Sequence, residues 1–145
     1  MGGRHSDEVR ISSEPMAPES DAQLIREGLY RYNVGRTGHD FWRPVKILVR
    51  DDKGYIVGGL LGDIWGGWIH IDILWIEEAL RGTGVGRRLV EMAEAEARAS
   101  GARYAHLDSH SFQAPGFYEK LGYVEFGRLE DAPLGYSQHF LWKRL

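Results

Sequence analysis

Apolar side chains at Leu24, Ile25, Leu29 and Tyr32 recur at helical spacing. They predict an amphipathic helix capped by Ser20 or Asp21 and ending near Asn33–Gly35. The period then shortens to two. Val45 to Arg50 alternates apolar and polar residues, and Asp51-Asp52-Lys53-Gly54 is a turn signal. Tyr55 to Ile64 and Trp68 to Ile76 follow as strand-like runs, and the intervening Gly66–Gly67 suits a tight antiparallel hairpin. From Val85 the helical period returns. Val85, Leu89, Met92 or Ala93, and Ala97 form one stripe, with Glu91, Glu94 and Arg98 expected elsewhere. Arg87–Glu91 and Glu94–Arg98 are spaced as i,i+4 ion pairs, and Gly101 is a natural stop. Tyr104 to Ser109 reads as a strand, Ala114 to Leu121 as a short helix, and Tyr123 to Leu129 and Tyr136 to Trp142 as two final strands.

The pattern predicts an α/β chain of the α+β type, an antiparallel meander followed by β-α-β-α-β-β. Residues 20–145 are expected to form one domain. Residues 1–19 mix Gly, Ser, Glu and Pro and read as a flexible segment, with Val9 and Ile11 as a candidate first strand. Composition narrows the function. With 145 residues the chain is long enough for a self-supporting core. It has no cysteine, which removes disulfides, thiolate metal sites and a cysteine nucleophile. A net charge of −3, from 18 basic and 21 acidic residues, gives no bulk attraction to nucleic acid or an anionic membrane. No apolar run reaches the roughly 20 residues of a membrane span, and Met1 to Glu19 is polar, so a cytoplasmic location is expected. The 19 glycines are the unusual count.

Their densest cluster is Arg81-Gly82-Thr83-Gly84-Val85-Gly86-Arg87-Arg88, between a strand and a helix. Such a loop turns backbone N–H groups toward one point, the helix adds its positive end, and together they suit phosphate. It is not a P-loop, since no Gly-Lys-Ser or Gly-Lys-Thr occurs. Nor is it a dinucleotide fingerprint, because Arg87 and Leu89 stand where glycine or alanine is required.

The loop resembles the acyl-CoA pyrophosphate loop of the GNAT superfamily of N-acetyltransferases, Gln/Arg-x-x-Gly-x-Gly/Ala, with Arg81, Gly84 and Gly86 in the pattern. Downstream, Ala114-Pro115-Gly116-Phe117-Tyr118-Glu119-Lys120-Leu121-Gly122-Tyr123 resembles the family's second hallmark, an alanine followed by Phe-Tyr-x-x-x-Gly-Phe/Tyr. The segments at His70 to Trp75, Ser111 to Pro115 and Gly135 to Phe140 look like a small bacterial subgroup for which no substrate is implied. The resemblance implies a mostly antiparallel mixed sheet flanked by helices and splayed at an acyl-CoA cleft, with acetyl-CoA as co-substrate. Arg81, Gly82, Thr83, Gly84, Val85, Gly86 and Arg87 would hold the pyrophosphate, and Leu74, Trp75 and Ile76 the pantetheine arm. Ser111 stands where the family often has a pantetheine-binding asparagine. A homodimer is the family-level expectation.

Transfer to an amine needs a deprotonated nucleophile, a stabilised oxyanion and a protonated leaving thiolate. Without cysteine or a Gly-x-Ser-x-Gly elbow, direct attack in a ternary complex is expected. Tyr118 matches the family's general-acid position, and a phenol with a pKa of about 10 is protonated at neutral pH. Strand alternation places His70 and Asp72 on one face, so His70, Asp72 or a water chain could serve as base. A backbone N–H near Leu74–Trp75 would face the oxyanion.

Two further groupings carry less. His106-x-Asp108-x-His110 is read as polar residues at a strand end, with no metal expected. Of Trp42, Trp65, Trp68, Trp75 and Phe112, one or two are expected to meet substrate. The function expected is acetyl transfer to a small-molecule amine. A non-catalytic acyl-CoA-binding module and a protein-tail acetyltransferase are the alternatives, and retention of His70 and Tyr118 weighs against the first.

Overall fold

The computed structural model describes residues 8–145, which fall into two compact units divided between Asp40 and Phe41. The first unit carries α1 (Glu19–Thr37). Its N-cap is Pro18, whose side chain cannot cap, so Ser20 and Asp21 lie within the helix rather than preceding it. Glu19 and Asp21 instead complement the helix dipole from the first turn. The helix runs past Asn33–Gly35 and stops at Gly38, where φ of +77° turns the chain and the Gly38 N–H donates to the Val34 carbonyl at 2.8 Å. Val9 and Ile11 pair with no strand and have no regular structure, since two apolar residues without a ladder partner cannot make one.

The second unit holds β1 (Trp42–Arg50), β2 (Ile56–Trp65), β3 (Trp68–Ile76), α2 (Val85–Ala99), β4 (Tyr104–His110), α3 (Pro115–Lys120), β5 (Val124–Glu130) and β6 (Ser137–Arg144). They form one six-stranded sheet in the order β1-β2-β3-β4-β6-β5, in which only β3 and β4 run parallel. The expected meander and the βαβ unit after it are both present. Gly66 and Gly67 close the β2–β3 hairpin with φ of +61° and +84°, the doubly left-handed turn whose twist matches the strands.

One sheet face packs on α2. Leu89, Val90, Ala93 and Ala97 meet Val45, Leu60, Ile69 and Ile71, while Met92 is exposed, so Ala93 carries the stripe. Glu94 departs from its expected place. It is only 3% exposed, because it lies one residue beyond Ala93 and one turn beyond Val90 on the packed side. Its partner is not Arg98. The Lys143 ammonium donates to both Glu94 oxygens at 2.9 Å, and the Tyr123 hydroxyl donates to Glu94 Oε2 at 3.2 Å. Burial first, and the Glu94 charge second, push the Tyr123 phenol well above its ordinary range. The surface pair Arg87–Glu91 forms at 2.9 Å.

β3 contains the irregularity that shapes the site. Gly62 of β2 faces Ile71 and Leu61 faces Ile73, leaving Asp72 without a partner across the strand, a β-bulge. Before it, Ile69 and Ile71 are buried; beyond it Leu74 and Ile76 pack on the core while Ile73 and Trp75 are exposed. One extra residue has switched the parity of the strand. Gly62 admits no side chain here, since a Cβ would lie 2.3 Å from the His70 carbonyl oxygen. Gly62→Ala is therefore expected to cost about 2–3 kcal/mol through backbone displacement. Urea unfolding would read this as a lowered midpoint, and an unchanged midpoint would contradict the packing described.

Candidate active site

The parallel ladder between β3 and β4 is short. It joins Trp68–Ile71 to Tyr104–Leu107 and then ends, although β3 continues to Ile76 and β4 to His110. The strands separate from the bulge onward, leaving the backbone edge of residues 72–76 without a strand partner on that side. An extended ligand can add to such an edge as a strand would.

The glycine loop follows directly. A 3-10 turn over Glu78–Leu80 leads into it, and Gly82 and Gly84 take φ of +76° and +88°. Gly84 is the N-cap of the 15-residue α2, with no side chain supplying a cap. The orphan N–H groups of the first helical turn are thus left for an external acceptor, with the positive helix end behind them. A Cβ at Gly82 or Gly84 would meet nothing within 4 Å, so both are glycine for conformation. Gly86 has another reason. A Cβ there would come within 3.2 Å of Ile76 Cδ1 and Phe117 Cζ, so it lets α2 approach β3 and α3 closely. The loop is braced by its own side chains: Arg81 Nε donates to the Ile76 carbonyl at 3.2 Å, and Thr83 Oγ1 donates to the Leu80 carbonyl at 2.5 Å. Arg87 is engaged with Glu91.

Tyr118 is 8% exposed, between Phe117 (ring centroids 5.0 Å apart) and Tyr123 (6.0 Å), both in edge-to-face geometry. Burial, helped by the Asp108 charge, pushes its phenol up to about 12. The group therefore keeps its proton throughout the physiological range, as a proton donor must.

His70 lies on the sheet face opposite α2, and its neighbours differ from the expected ones. Its carboxylate neighbour is Asp63 of β2, directly across the ladder, with Nδ1 and Oδ1 3.7 Å apart. Asp72 is the bulge residue and makes no pair with His70, because the extra residue removes it from the alternation. Trp42 Nε1 donates to the other Asp63 oxygen at 3.3 Å. On its β4 side, His70 stacks on His106 with centroids 4.6 Å apart. Burial and the nearby His70 lower the His106 pKa, outweighing the opposing pull of Asp63 and Asp108, so His106 is neutral at pH 7.

Asp63, His70 and His106 form the polar wall of a cavity of about 760 Å³. Its other walls are aromatic: Trp65 and Trp68 beside the hairpin, with Phe126 and Trp142 opposite. The sequence offers Trp65 and Trp68 as candidates; Trp142 and Phe126 come from the fold. Trp42 serves Asp63, Trp75 is 47% exposed, and Phe112 stacks on His110 and meets Tyr136 edge-on.

The His106, Asp108 and His110 side chains do not converge. His106 stacks on His70, Asp108 accepts from Gln138 Nε2 at 2.8 Å, and His110 Nδ1 lies 3.2 Å from Gln113 Oε1. Among the described residues no three such groups gather as a metal site. No helix among them is long and apolar enough to cross a membrane.

The acetyltransferase (GNAT) family model matches residues 13–123, spanning the split strands, the loop and Tyr118. The chain belongs to this family. An acetyltransferase of Agrobacterium fabrum is 36% identical over 120 residues, covering 83% of this chain and 86% of that one. A blasticidin-S acetyltransferase of Streptomyces morookaense is 40% identical over 107 residues, covering 71% and 79%. The crystal structure of an acetyltransferase from Agrobacterium tumefaciens superposes with a TM-score of 0.87 at 33% identity, over 94% of this chain and all of that one. The protein is an acyltransferase, and the donor of its family is acetyl-CoA.

Beside the slot, GNAT proteins often carry an asparagine where this chain has Ser111. The Ser111 hydroxyl accepts from the Ser137 N–H at 3.0 Å, and the Ser111 N–H donates to the Ser137 carbonyl at 2.8 Å, joining the end of β4 to the start of β6. A polar chain missed in the sequence begins there. Ser137 Oγ lies 2.8 Å from His139 Nε2, and His139 Nδ1 is hydrogen-bonded to Glu125. That bond is the largest cause of the lowered Glu125 pKa. The buried imidazole is thus engaged at both nitrogens, Nδ1 with the Glu125 carboxylate and Nε2 with the Ser137 hydroxyl. Only the i,i+2 repeat at Ser137 and His139 marked it in the sequence.

Proposed function

We propose that this protein transfers the acetyl group of acetyl-CoA to the amine of a small molecule by direct attack in a ternary complex. The observation that carries this reading is the split between β3 and β4 beside the glycine loop, with a protonated Tyr118 on the α3 that follows β4. The small-molecule acceptor is supported by the relative that acts on blasticidin-S.

In this reading the N–H groups of residues 82–87 and the α2 N-terminus bind the pyrophosphate, with Arg81 and Arg87 adding charge. The arm lies along the β3 edge at Leu74, Trp75 and Ile76, near the Ser111 hydroxyl. The bulge at Asp72 turns β3 backbone toward the thioester carbonyl, where an N–H stabilises the oxyanion. The amine nitrogen bonds to the carbonyl carbon and the C–S bond breaks. Tyr118 gives its proton to the departing sulfur, and the proton lost by the amine goes to His70, held by Asp63 on one side and His106 on the other. Asp72 would act on the incoming amine by charge. Solvent then returns the Tyr118 proton and takes the one on His70.

The test is free-thiol release from acetyl-CoA across a panel of small amines. Amine-dependent release is expected. Binding of acetyl-CoA with no release over the whole panel would overturn transfer in favour of a binding module.

A further inference from the structure

We infer that the cavity on the sheet face opposite α2 is the acceptor site, and that it selects an amine that is both cationic and attached to a flat aromatic or heteroaromatic ring. This rests on the transfer reading above and names the substrate class that reading leaves open.

The walls argue for the ring. Trp68 is the anchor: it stacks on Tyr104 at 4.7 Å and lies 6.4 Å from the Trp142 ring. These contacts across β3, β4 and β6 hold the indoles in place, so the surface is formed before a ligand arrives. Phe126 adds an edge at the bulged part of β5. A volume of about 760 Å³ admits a compact metabolite, and aromatic walls favour a planar π-system over a saturated ring of equal size.

The charges argue for the cation. Among the described residues Asp63 is the one acidic side chain in the wall, and no lysine or arginine lines it. His106 is kept neutral, so it does not cancel the carboxylate. Asp63 is fixed by Trp42 and faces His70, so its charge is directed rather than freely solvated. Indole faces also attract cations by their quadrupole. A bound ammonium beside Asp63 would lie next to His70, through which its first proton passes to solvent before attack, leaving His70 free to take the second as the amide forms. His70 is two residues before the Asp72 bulge, and the separation of the strands begins there. Cavity and slot therefore meet at one point on β3. A neutral aromatic lacks the Asp63 contact, and an aliphatic amine lacks the ring contacts.

The experiment uses three probes of nearly equal size with the full chain: 2-phenylethylamine, 2-cyclohexylethylamine and 2-phenylethanol. Calorimetry in the presence of CoA is expected to show 2-phenylethylamine binding at least about 5-fold more tightly than either of the others. Trp142→Ala should remove the preference for phenyl over cyclohexyl, and Asp63→Asn the preference for amine over alcohol, each with the affinity for CoA unchanged. Phe126→Ala, at an exposed side chain, should weaken the phenyl preference in the same direction and supplies the test if Trp142→Ala does not fold. Equal binding of the phenyl and cyclohexyl amines, or a preference untouched by both aromatic substitutions, would overturn the assignment. Thiol release measured alongside separates the two levels. Equal release with both amines contradicts the cavity while leaving transfer intact. Selective binding without release from acetyl-CoA supports the cavity and contradicts transfer.

Discussion

Tyr118→Phe is expected to lower kcat by about 100-fold, the lower end of what a positioned proton donor contributes, while KM for acetyl-CoA changes little. The ring keeps its packing against Phe117 and Tyr123, so the loss should not come from unfolding. The magnitude follows from where the hydroxyl sits. Burial holds the phenol at about 12, so at neutral pH essentially every molecule carries the proton that the departing sulfur needs. For the same reason, the alkaline fall of the rate below about pH 10 should belong to another group. Retention of kcat within about 3-fold in the variant would remove Tyr118 as the acid.

Lys143→Met is expected to have the largest effect on stability, about 3 kcal/mol, lowering Tm by on the order of 10 °C. Glu94 is buried on the packed side of α2, and two of its three hydrogen bonds come from the Lys143 ammonium. Removing the cation leaves a buried carboxylate with only the Tyr123 hydroxyl. The cost is mainly that of the stranded charge, so adding Glu94→Gln to Lys143→Met should recover most of it. Thermal unfolding of the two variants would check this. Equal Tm values for Lys143→Met and the parent would show that the pair contributes nothing.

Much of this molecule is legible along the chain because its signals are local. Gly66–Gly67 marks a hairpin by backbone freedom, and Val85 to Gly101 marks a helix by its stripe and its stop. The glycine loop before α2 is likewise a local matter of three glycines. Glu94 is not legible. Its burial depends on Lys143, 49 residues away on another strand, and nothing near Glu94 announces that partner. The Asp72 bulge is hidden for another reason. Residues 73–76 are all apolar, so a switch of parity leaves no break in the alternation. That is why His70 and Asp72 read as a pair, whereas the carboxylate beside His70 belongs to β2. Trp142 and Phe126 join the cavity only through the β4-β6-β5 order of the sheet, which short-range pattern does not encode.

Direct transfer is the claim on which the rest depends, and the fate of the acetyl group tests it. The protein is incubated with acetyl-CoA bearing an isotopically labelled acetyl group, with and without 2-phenylethylamine, then quenched and analysed by mass spectrometry. The account predicts labelled N-acetyl amine equal in amount to the free thiol, and an unchanged protein mass in both samples. Labelled protein formed without the amine, or thiol released with no labelled amide, would contradict it.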